Sequence, residues 1–231
     1  MIGYYNYTMY LTYASLVSAL LGIIISLHGP GHPFIGVYFL LVCGLCDAFD
    51  GKVARSKKDR SEEESKFGIQ IDSLSDLVAF GVLPACIGDA MLRVSEKVDD
   101  VPVFAADERH LYPLFLFAIM AFYALAALIR LGYFNVQEEL RQQEEGGVRK
   151  TYTGLPVTGA ALIFPGILLL QFLTPQDLTL VYFGGLMLTG ILFLSPFHIK
   201  KPGMRGLMIM VAFGAVEFAL LLIFKYWLST H

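Results

Sequence analysis

Residues 46–76 read CDAFDGKVARSKKDRSEEESKFGIQIDSLSD, and the acids in this stretch decide how the chain must fold. Asp47 and Asp50 are three residues apart and Asp72 and Asp76 are four apart, so each pair lies on one face of a helix. A charged segment separates the two pairs, and apolar sequence flanks them on both sides. Two antiparallel helices joined by this segment would bring all four carboxylates to one level.

The rest of the chain is strongly apolar. It has 231 residues, of which 56% are hydrophobic and 16% charged, with a mean hydropathy of +0.61. Soluble domains carry about 25% charged residues. Residues 1–46 contain no Asp, Glu, Lys or Arg, and neither do residues 151–176. We therefore predict an all-α, polytopic transmembrane helix bundle with a single domain over residues 1–231, because helices satisfy their own backbone hydrogen bonds in lipid.

Seven membrane spans are predicted, and the uncertain C-terminal end leaves the number open between six and eight. Each span needs about 20 mostly apolar residues. The predicted spans are 8–27, 33–54, 69–92, 111–135, 154–173, 178–195 and 205–227.

The basic residues predict the orientation of these spans. With a cytoplasmic N-terminus, 13 of the 17 Lys and Arg residues fall on the cytoplasmic side, as positive residues prefer. The acidic loop 93–110 then lies outside, and the four acids lie at the cytoplasmic membrane edge. Because no segment is typical of organelle targeting, we expect the cell membrane of a bacterium or archaeon.

The acid cluster predicts a metal site. Four carboxylates in a confined space repel one another unless cations offset their charge. Oxygen ligands suit Mg²⁺, Mn²⁺ or Ca²⁺ better than zinc. We predict that two divalent cations, Mg²⁺ or Mn²⁺, bind here, an arrangement that serves phosphoryl displacement. Carboxylates within a membrane also mark ion pathways, so a metal-ion transporter is the alternative class. The predicted ligands are Asp47, Asp50, Asp72 and Asp76.

Small residues accompany the acids. Gly51 and Ala54 share the second predicted helix with the first acid pair, and Gly68 precedes the second pair by one turn. Such residues either let helices pack closely or leave space for a flat base or a sugar. Arg55 lies one turn beyond Gly51, where it either contacts phosphate oxygens or serves as a cytoplasmic charge that sets the topology.

The stretches CDAFDGKVAR (46–55) and GIQIDSLSD (68–76) resemble the signature of the CDP-alcohol phosphatidyltransferase family, D-x2-D-G-x2-A-R followed by G-x3-D-x3-D. Every specified position is present. The spacer between Arg55 and Gly68 has 12 residues, longer than is usual in the family, and is predicted to bulge into the cytoplasm. The resemblance implies that Asp47, Asp50 and Asp72 bind metal, that Asp76 is the fourth ligand and the general base, and that Gly51, Ala54, Arg55 and Gly68 bind CDP.

A second resemblance concerns the acceptor. IRLGYFN (129–135) and TYTGLPVTG (151–159) resemble segments of the branch of this family that uses serine. This implies transfer of the phosphatidyl group from CDP-diacylglycerol to the hydroxyl of L-serine, with release of CMP. Glycerol phosphate and inositol phosphate are the alternative acceptors.

Two residues are candidates for binding serine. Arg130 is the only charged residue in the fourth predicted span and is our candidate for the serine carboxylate, with Asn135 as a second acceptor contact. Alternatively, Arg130 forms a structural pair or extends to the membrane interface. The family resemblance also implies a homodimer. The expected partners are therefore CDP-diacylglycerol, L-serine and membrane lipid, with no nucleic acid.

Overall fold

The computed structural model describes residues 3–57, 59–95, 111–144, 151–174, 176–200 and 203–230. Within these ranges the chain is a helix bundle with one small two-stranded sheet. The helices are α1 (Tyr10–Leu27, after a 3-10 turn at Tyr7–Met9), α2 (Pro33–Ser56), α3 (Glu62–Asp76), α4 (Leu83–Val94), α5 (Leu111–Glu144), α6 (Ala160–Leu173, after a 3-10 turn at Val157–Gly159), α7 (Thr179–Leu194) and α8 (Met204–Thr230). Residues 96–110 of the predicted outer loop lie outside the described residues.

The predicted all-α membrane bundle is confirmed. Five helical segments of the described chain are long and apolar enough to cross a membrane: Tyr7–Leu27, Pro33–Ser56, Glu62–Val94, Leu114–Arg141 and Arg205–Phe224. Two shorter apolar helical segments, Val157–Leu173 and Thr179–Leu194, correspond to the fifth and sixth predicted spans.

The fourth predicted span ends at residue 135, but α5 continues to Glu144. Seven of the nine added residues, 136–144, are polar, yet most of the nine are strong helix formers. Arg141 also pairs with Glu138 at 2.6 Å, one turn earlier on the same helix. The end of the apolar run is therefore not the end of the helix.

The junction between α2 and α3 is held by capping and charge pairing. The hydroxyl of Ser61 accepts a hydrogen bond from the Glu64 backbone N–H at 3.1 Å, and three glutamates occupy the first turn of α3, where negative charge is favourable. Lys57 pairs with Glu64 at 2.9 Å. From the N-terminal segment, the Tyr4 hydroxyl donates to the Glu63 carboxylate at 2.6 Å. The spacer between α2 and α3 is therefore fixed by a helix cap, an ion pair and a hydrogen bond to the N-terminal segment.

The third membrane segment is irregular in its middle. A π-helical stretch, Leu77–Val82, joins α3 to α4 directly after the last predicted acid. Short π segments occur frequently at functional sites. Two buried tyrosines anchor this region, because Tyr123 of α5 donates to the Phe80 carbonyl at 2.6 Å and Tyr182 of α7 donates to the Pro84 carbonyl at 2.8 Å.

Two strands join the segments that precede α6 and α8. Strand β1 (Thr151–Thr153) pairs antiparallel with β2 (His198–Lys200), with Tyr152 opposite Ile199. Gly154 follows β1 with a φ of +76°, and its N–H donates to the Phe197 carbonyl at 2.6 Å. This link fixes the start of α8 relative to the Gly-Leu-Pro segment.

Candidate active site

The structure brings the four predicted acids together. The carboxyl groups of Asp50 on α2 and Asp72 on α3 are close enough to interact directly. Asp76 interacts electrostatically with the other three, and Asp47 interacts with Asp72. Asp50 and Asp76 are each only 8% exposed. The sequence spacing therefore predicted this juxtaposition correctly, while the chemical roles of the acids stay predictions.

Neighbouring helices fix the α3 residues that lie between and beside the acids. The buried Ser75 hydroxyl donates to the Thr12 carbonyl of α1 at 3.1 Å. The side-chain amide of Asn135 on α5 donates to the Ser73 hydroxyl at 2.7 Å. These two bonds tie α3 to α1 and α5, so they set the rotation of the helix that carries Asp72 and Asp76.

The donor set of this cluster suits a hard divalent cation, because it consists of carboxylate oxygens alone. Among the described residues, none of the four acids forms an ion pair with Lys or Arg that would offset its charge. Also within that part of the chain, no three His, Cys, Asp or Glu side chains are arranged to hold a metal ion. Binding a cation would therefore require these carboxylates to turn toward a common point.

A cavity of about 620 Å³ adjoins the acid cluster. It lies between α2, α6 and α8, and Asp47 is part of its wall. Its lining follows α2 from Leu41 to Arg55, a rise of about 20 Å at 1.5 Å per residue. The Arg55 end is polar, whereas the Leu41 end is lined by apolar residues of α8 such as Phe218. Such a shape suits a ligand with a polar head and an apolar tail.

The four predicted CDP residues fall into two groups. Gly51 and Arg55 line the cavity, and a Cβ atom at Gly51 would lie 3.3 Å from Nη1 of Arg55. Ala54 and Gly68 instead contact Arg60, whose guanidinium donates to the Ala54 carbonyl and lies against Gly68. Each predicted glycine is therefore covered by a guanidinium group.

The two acceptor candidates lie in different surroundings. Arg130 is 5% exposed; its Nε donates to the Leu155 carbonyl at 3.1 Å, and its guanidinium lies 5.6 Å from the ring centre of Phe134. It therefore contacts the Gly-Leu-Pro segment. Asn135 contacts Ser73, which directly follows Asp72. Asn135 is thus the candidate that the structure places beside the acids.

Sequence reasoning missed several residues of this region. Lys52 and Thr158 line the cavity, and Leu207, Gly214 and Phe218 form much of its α8 wall. Arg60 and Ser73 contact predicted site residues. No local sequence pattern identifies these residues, because each depends on which helices become neighbours in the fold.

The fold and the site define an integral membrane protein in which an acidic cluster adjoins a cavity with one polar and one apolar end. The sequence profile of the CDP-alcohol phosphatidyltransferase family matches residues 5–197 of this chain. The chain therefore belongs to that family. The match ends before α8, so the helix that forms one wall of the cavity lies outside the matched region.

Curated relatives carry names consistent with this family. A CDP-diacylglycerol–serine O-phosphatidyltransferase of Helicobacter pylori strain J99 is 28% identical over 212 residues, which cover 90% of this chain and 76% of the relative. The enzyme of the same name from Saccharomyces cerevisiae is 33% identical over 141 residues, or 60% of this chain and 43% of the relative. An archaetidylserine synthase of Methanothermobacter thermautotrophicus is 30% identical over 155 residues, or 67% of this chain and 54% of the relative. No solved structure matches the chain significantly.

Proposed function

We propose that this chain transfers the phosphatidyl group of CDP-diacylglycerol to the hydroxyl of L-serine, giving phosphatidylserine and CMP. The proposal depends mainly on Asp47, which belongs to the acid cluster and also lines the cavity. A lipid whose reactive diphosphate lies between a nucleotide and two acyl chains requires such a junction. The names of the relatives support serine as the acceptor.

The cavity suggests how the lipid substrate is placed. Lys52 and Arg55 line its polar end, where they would bind phosphate oxygens of the CDP group. The missing side chain of Gly51 leaves room for this contact. An acyl chain would extend along α2 toward Leu41 and Phe218, in the apolar part of the cavity. The reacting phosphorus would then lie near Asp47.

The proposed chemistry is a direct in-line displacement. The serine oxygen forms a bond to the lipid-side phosphorus, the bond from that phosphorus to the CMP oxygen breaks, and Asp76 receives the hydroxyl proton. Asp47, Asp50, Asp72 and Asp76 would hold two divalent cations, Mg²⁺ or Mn²⁺, which when bound supply charge stabilisation for the diphosphate. Asp76 is buried among the other acids, so it is positioned to take a proton inside the site.

The finer assignments belong to the same proposal. Asn135 would contact serine beside Asp72, and Arg130 would contribute to the serine carboxylate site from the Gly-Leu-Pro segment. We also propose that the acid cluster faces the cytoplasm of a bacterial or archaeal cell membrane, because serine and CMP are water-soluble and the basic residues favour that side. The active form would be a homodimer. Family membership argues against the metal-ion transporter.

CMP release by the full chain in detergent tests this proposal. The protein would receive CDP-diacylglycerol and Mn²⁺ or Mg²⁺, with serine, glycerol phosphate or inositol phosphate added in turn. We expect serine-dependent release that falls by about 10²- to 10⁴-fold in Asp76→Asn, as for loss of a general base. The matched control is Asp89→Asn, since Asp89 pairs with Arg93 at 2.8 Å on α4, away from the cluster.

The acceptors separate the possible outcomes. Release that requires glycerol phosphate or inositol phosphate would keep the phosphatidyl transfer and overturn serine as the acceptor. Absence of release with all three acceptors, from folded wild-type protein, would overturn the proposed activity. An equal loss in Asp89→Asn and Asp76→Asn would contradict the special role of Asp76.

A further inference from the structure

The long spacer between the two halves of the signature contains Arg60, whose side chain contacts Ala54 and Gly68 of the predicted CDP site. Arg60 lies within this spacer, which covers residues 56–67. Its Nη2 atom would lie 2.5 Å from a Cβ atom at Gly68, so its guanidinium occupies the space above that glycine. Nη1 of the same group donates to the Ala54 carbonyl at 3.5 Å. Arg60 therefore bridges two of the residues that the family signature assigns to CDP binding.

The position of Arg60 relative to the acids is set by helix geometry. Ala54 follows Asp50 by one turn of α2, and Gly68 precedes Asp72 by one turn of α3. The carboxyl groups of Asp50 and Asp72 approach each other directly. The guanidinium of Arg60 therefore contacts residues that lie one helical turn, about 5 Å along each helix axis, from Asp50 and Asp72 on the side of the loop.

The bonding capacity of Arg60 is only partly used. Its hydrogen bonds to the carbonyls of Ala54 and Glu64 measure 3.5 and 3.3 Å, longer than the usual 2.9–3.0 Å for such bonds. Its Nε atom is buried and has no hydrogen-bond partner among the described residues. The carboxylate of Glu64 is engaged by Lys57 at 2.9 Å. A guanidinium has five N–H donors, so this one retains donors for a ligand.

Other contacts hold the loop in place without Arg60. Lys57 pairs with Glu64, the Tyr4 hydroxyl donates to Glu63 at 2.6 Å, and the Tyr7 and Ser56 hydroxyls are 3.1 Å apart. The segment that carries Arg60 is therefore fixed by contacts other than those of its guanidinium. An arginine with a purely structural role would be expected to have most of its N–H donors in hydrogen bonds, whereas Arg60 makes two long bonds and its Nε has no partner among the described residues.

We infer that Arg60 is a further substrate-binding residue, which donates hydrogen bonds to the nucleoside diphosphate part of the lipid substrate. A planar, forked cation next to two small residues fits phosphate oxygens or the carbonyl edge of a flat base. Arg55 would contact the substrate from the cavity side of α2, and Arg60 from the α3 side. This inference rests on the proposed function, because it names a contact to the same CDP-lipid.

Two measurements on the full chain in detergent test the role of Arg60. The first is the KM for CDP-diacylglycerol in CMP release, and the second is the affinity for free CDP, titrated without acceptor. We expect Arg60→Gln to raise the KM and weaken CDP binding by about 10- to 100-fold, the usual effect of losing a charged hydrogen bond, with little change in kcat. Arg60→Lys should recover part of the loss. Lys57→Gln, which breaks the neighbouring ion pair of the same loop, should change neither value.

Other results would overturn the inference. Unchanged KM and CDP affinity in Arg60→Gln would show that the side chain does not contact the nucleotide. A lower KM would show that it blocks the site, and an equal loss in Lys57→Gln would show that it only supports the loop. If the wild type released no CMP with any acceptor, the proposed function would fail, and the CDP titration alone would decide the role of Arg60.

Discussion

The side-chain amide of Asn135 donates a 2.7 Å hydrogen bond to the hydroxyl of Ser73, which is 62 residues earlier in the chain. Ser73 lies between Asp72 and Asp76 on α3, whereas Asn135 lies on α5 at the end of the predicted fourth span. The bond therefore connects the proposed acceptor site to the acid cluster. It gives Asn135 two possible contributions, one through direct contact with serine and one through the position of α3.

A comparison of Asn135→Ala with Ser73→Ala separates these contributions. Both variants break the same hydrogen bond, so each should lower the free energy of unfolding by about 1 kcal/mol. Asn135→Ala should in addition raise the KM for serine several-fold, because it also removes the proposed acceptor contact. Steady-state kinetics at saturating CDP-diacylglycerol would measure this difference. Equal serine KM values in the two variants would mean that Asn135 acts only by positioning Ser73.

The cavity between α2, α6 and α8 predicts an effect of acyl-chain length. Gly214 of α8 lines it, and a Cβ atom there would lie 3.4 Å from Leu162 and 3.7 Å from Leu41, in ordinary contact. Gly214→Phe would fill part of the apolar end. We expect its KM to rise at least several-fold for long-chain CDP-diacylglycerol and to change little for short-chain forms, since only long chains reach that end.

Gly184→Phe provides the matched control for this experiment. Gly184 is an exposed glycine of α7, and a Cβ atom there meets no other atom within 4 Å. The control should leave the KM of both lipids unchanged. If Gly214→Phe affected short and long chains alike, the apolar part of the cavity would not be the acyl-chain site.

The helical membrane fold could be predicted from the sequence because lipid cannot hydrogen-bond the backbone, so a span must satisfy its own N–H and C=O groups. Runs without charge gave the spans, and the i, i+3 and i, i+4 spacings of the acids placed Asp47, Asp50, Asp72 and Asp76 on facing helices. These are local patterns on single helices. The sequence analysis misses the extension of α5 because it follows hydropathy, which falls after residue 135, whereas helix propensity continues to Glu144.

The remaining parts of the site depend on contacts between distant segments. The sequence marks Arg60 only as a basic residue of the charged spacer, since no pattern shows that its side chain folds back over Gly68. The α8 wall of the cavity likewise follows from helix packing. The pairing of β1 with β2 joins residues 151–153 to residues 198–200, and segments of three residues carry too little pattern for prediction.

The turn after β1 predicts a strong effect of one methyl group. Gly154 has a φ of +76°, and a Cβ atom there would lie 2.9 Å from the Ser195 carbonyl oxygen and 3.1 Å from that of Phe193. Gly154→Ala should therefore destabilise the protein by about 1–3 kcal/mol through backbone strain and contact with backbone atoms. Activity should also fall, because the adjacent Leu155 carbonyl holds Arg130. Thermal unfolding in detergent and CMP release would measure both effects.

Gly132→Ala is the control for that substitution. Gly132 lies in α5, where a Cβ atom would meet no other atom within 4 Å. Alanine should be neutral there or stabilise the helix by about 0.5–1 kcal/mol. A Gly154→Ala protein as stable as the control would contradict the strained turn described here.

Glu217 is a buried acid within α8. Its side chain is 2% exposed, and neither carboxyl oxygen has a hydrogen-bond partner within the described residues. A buried polar group without a partner costs about 1–3 kcal/mol. Glu217→Leu should therefore raise the thermal stability of the detergent-solubilised protein by a similar amount, whereas Glu217→Gln, which keeps the shape and a polar end, should change it little. Both variants should retain CMP release, because Glu217 is not among the proposed site residues. A loss of stability in Glu217→Leu would instead mean that the carboxyl group has a partner. The mass of the protein in detergent would then show whether a homodimer had dissociated.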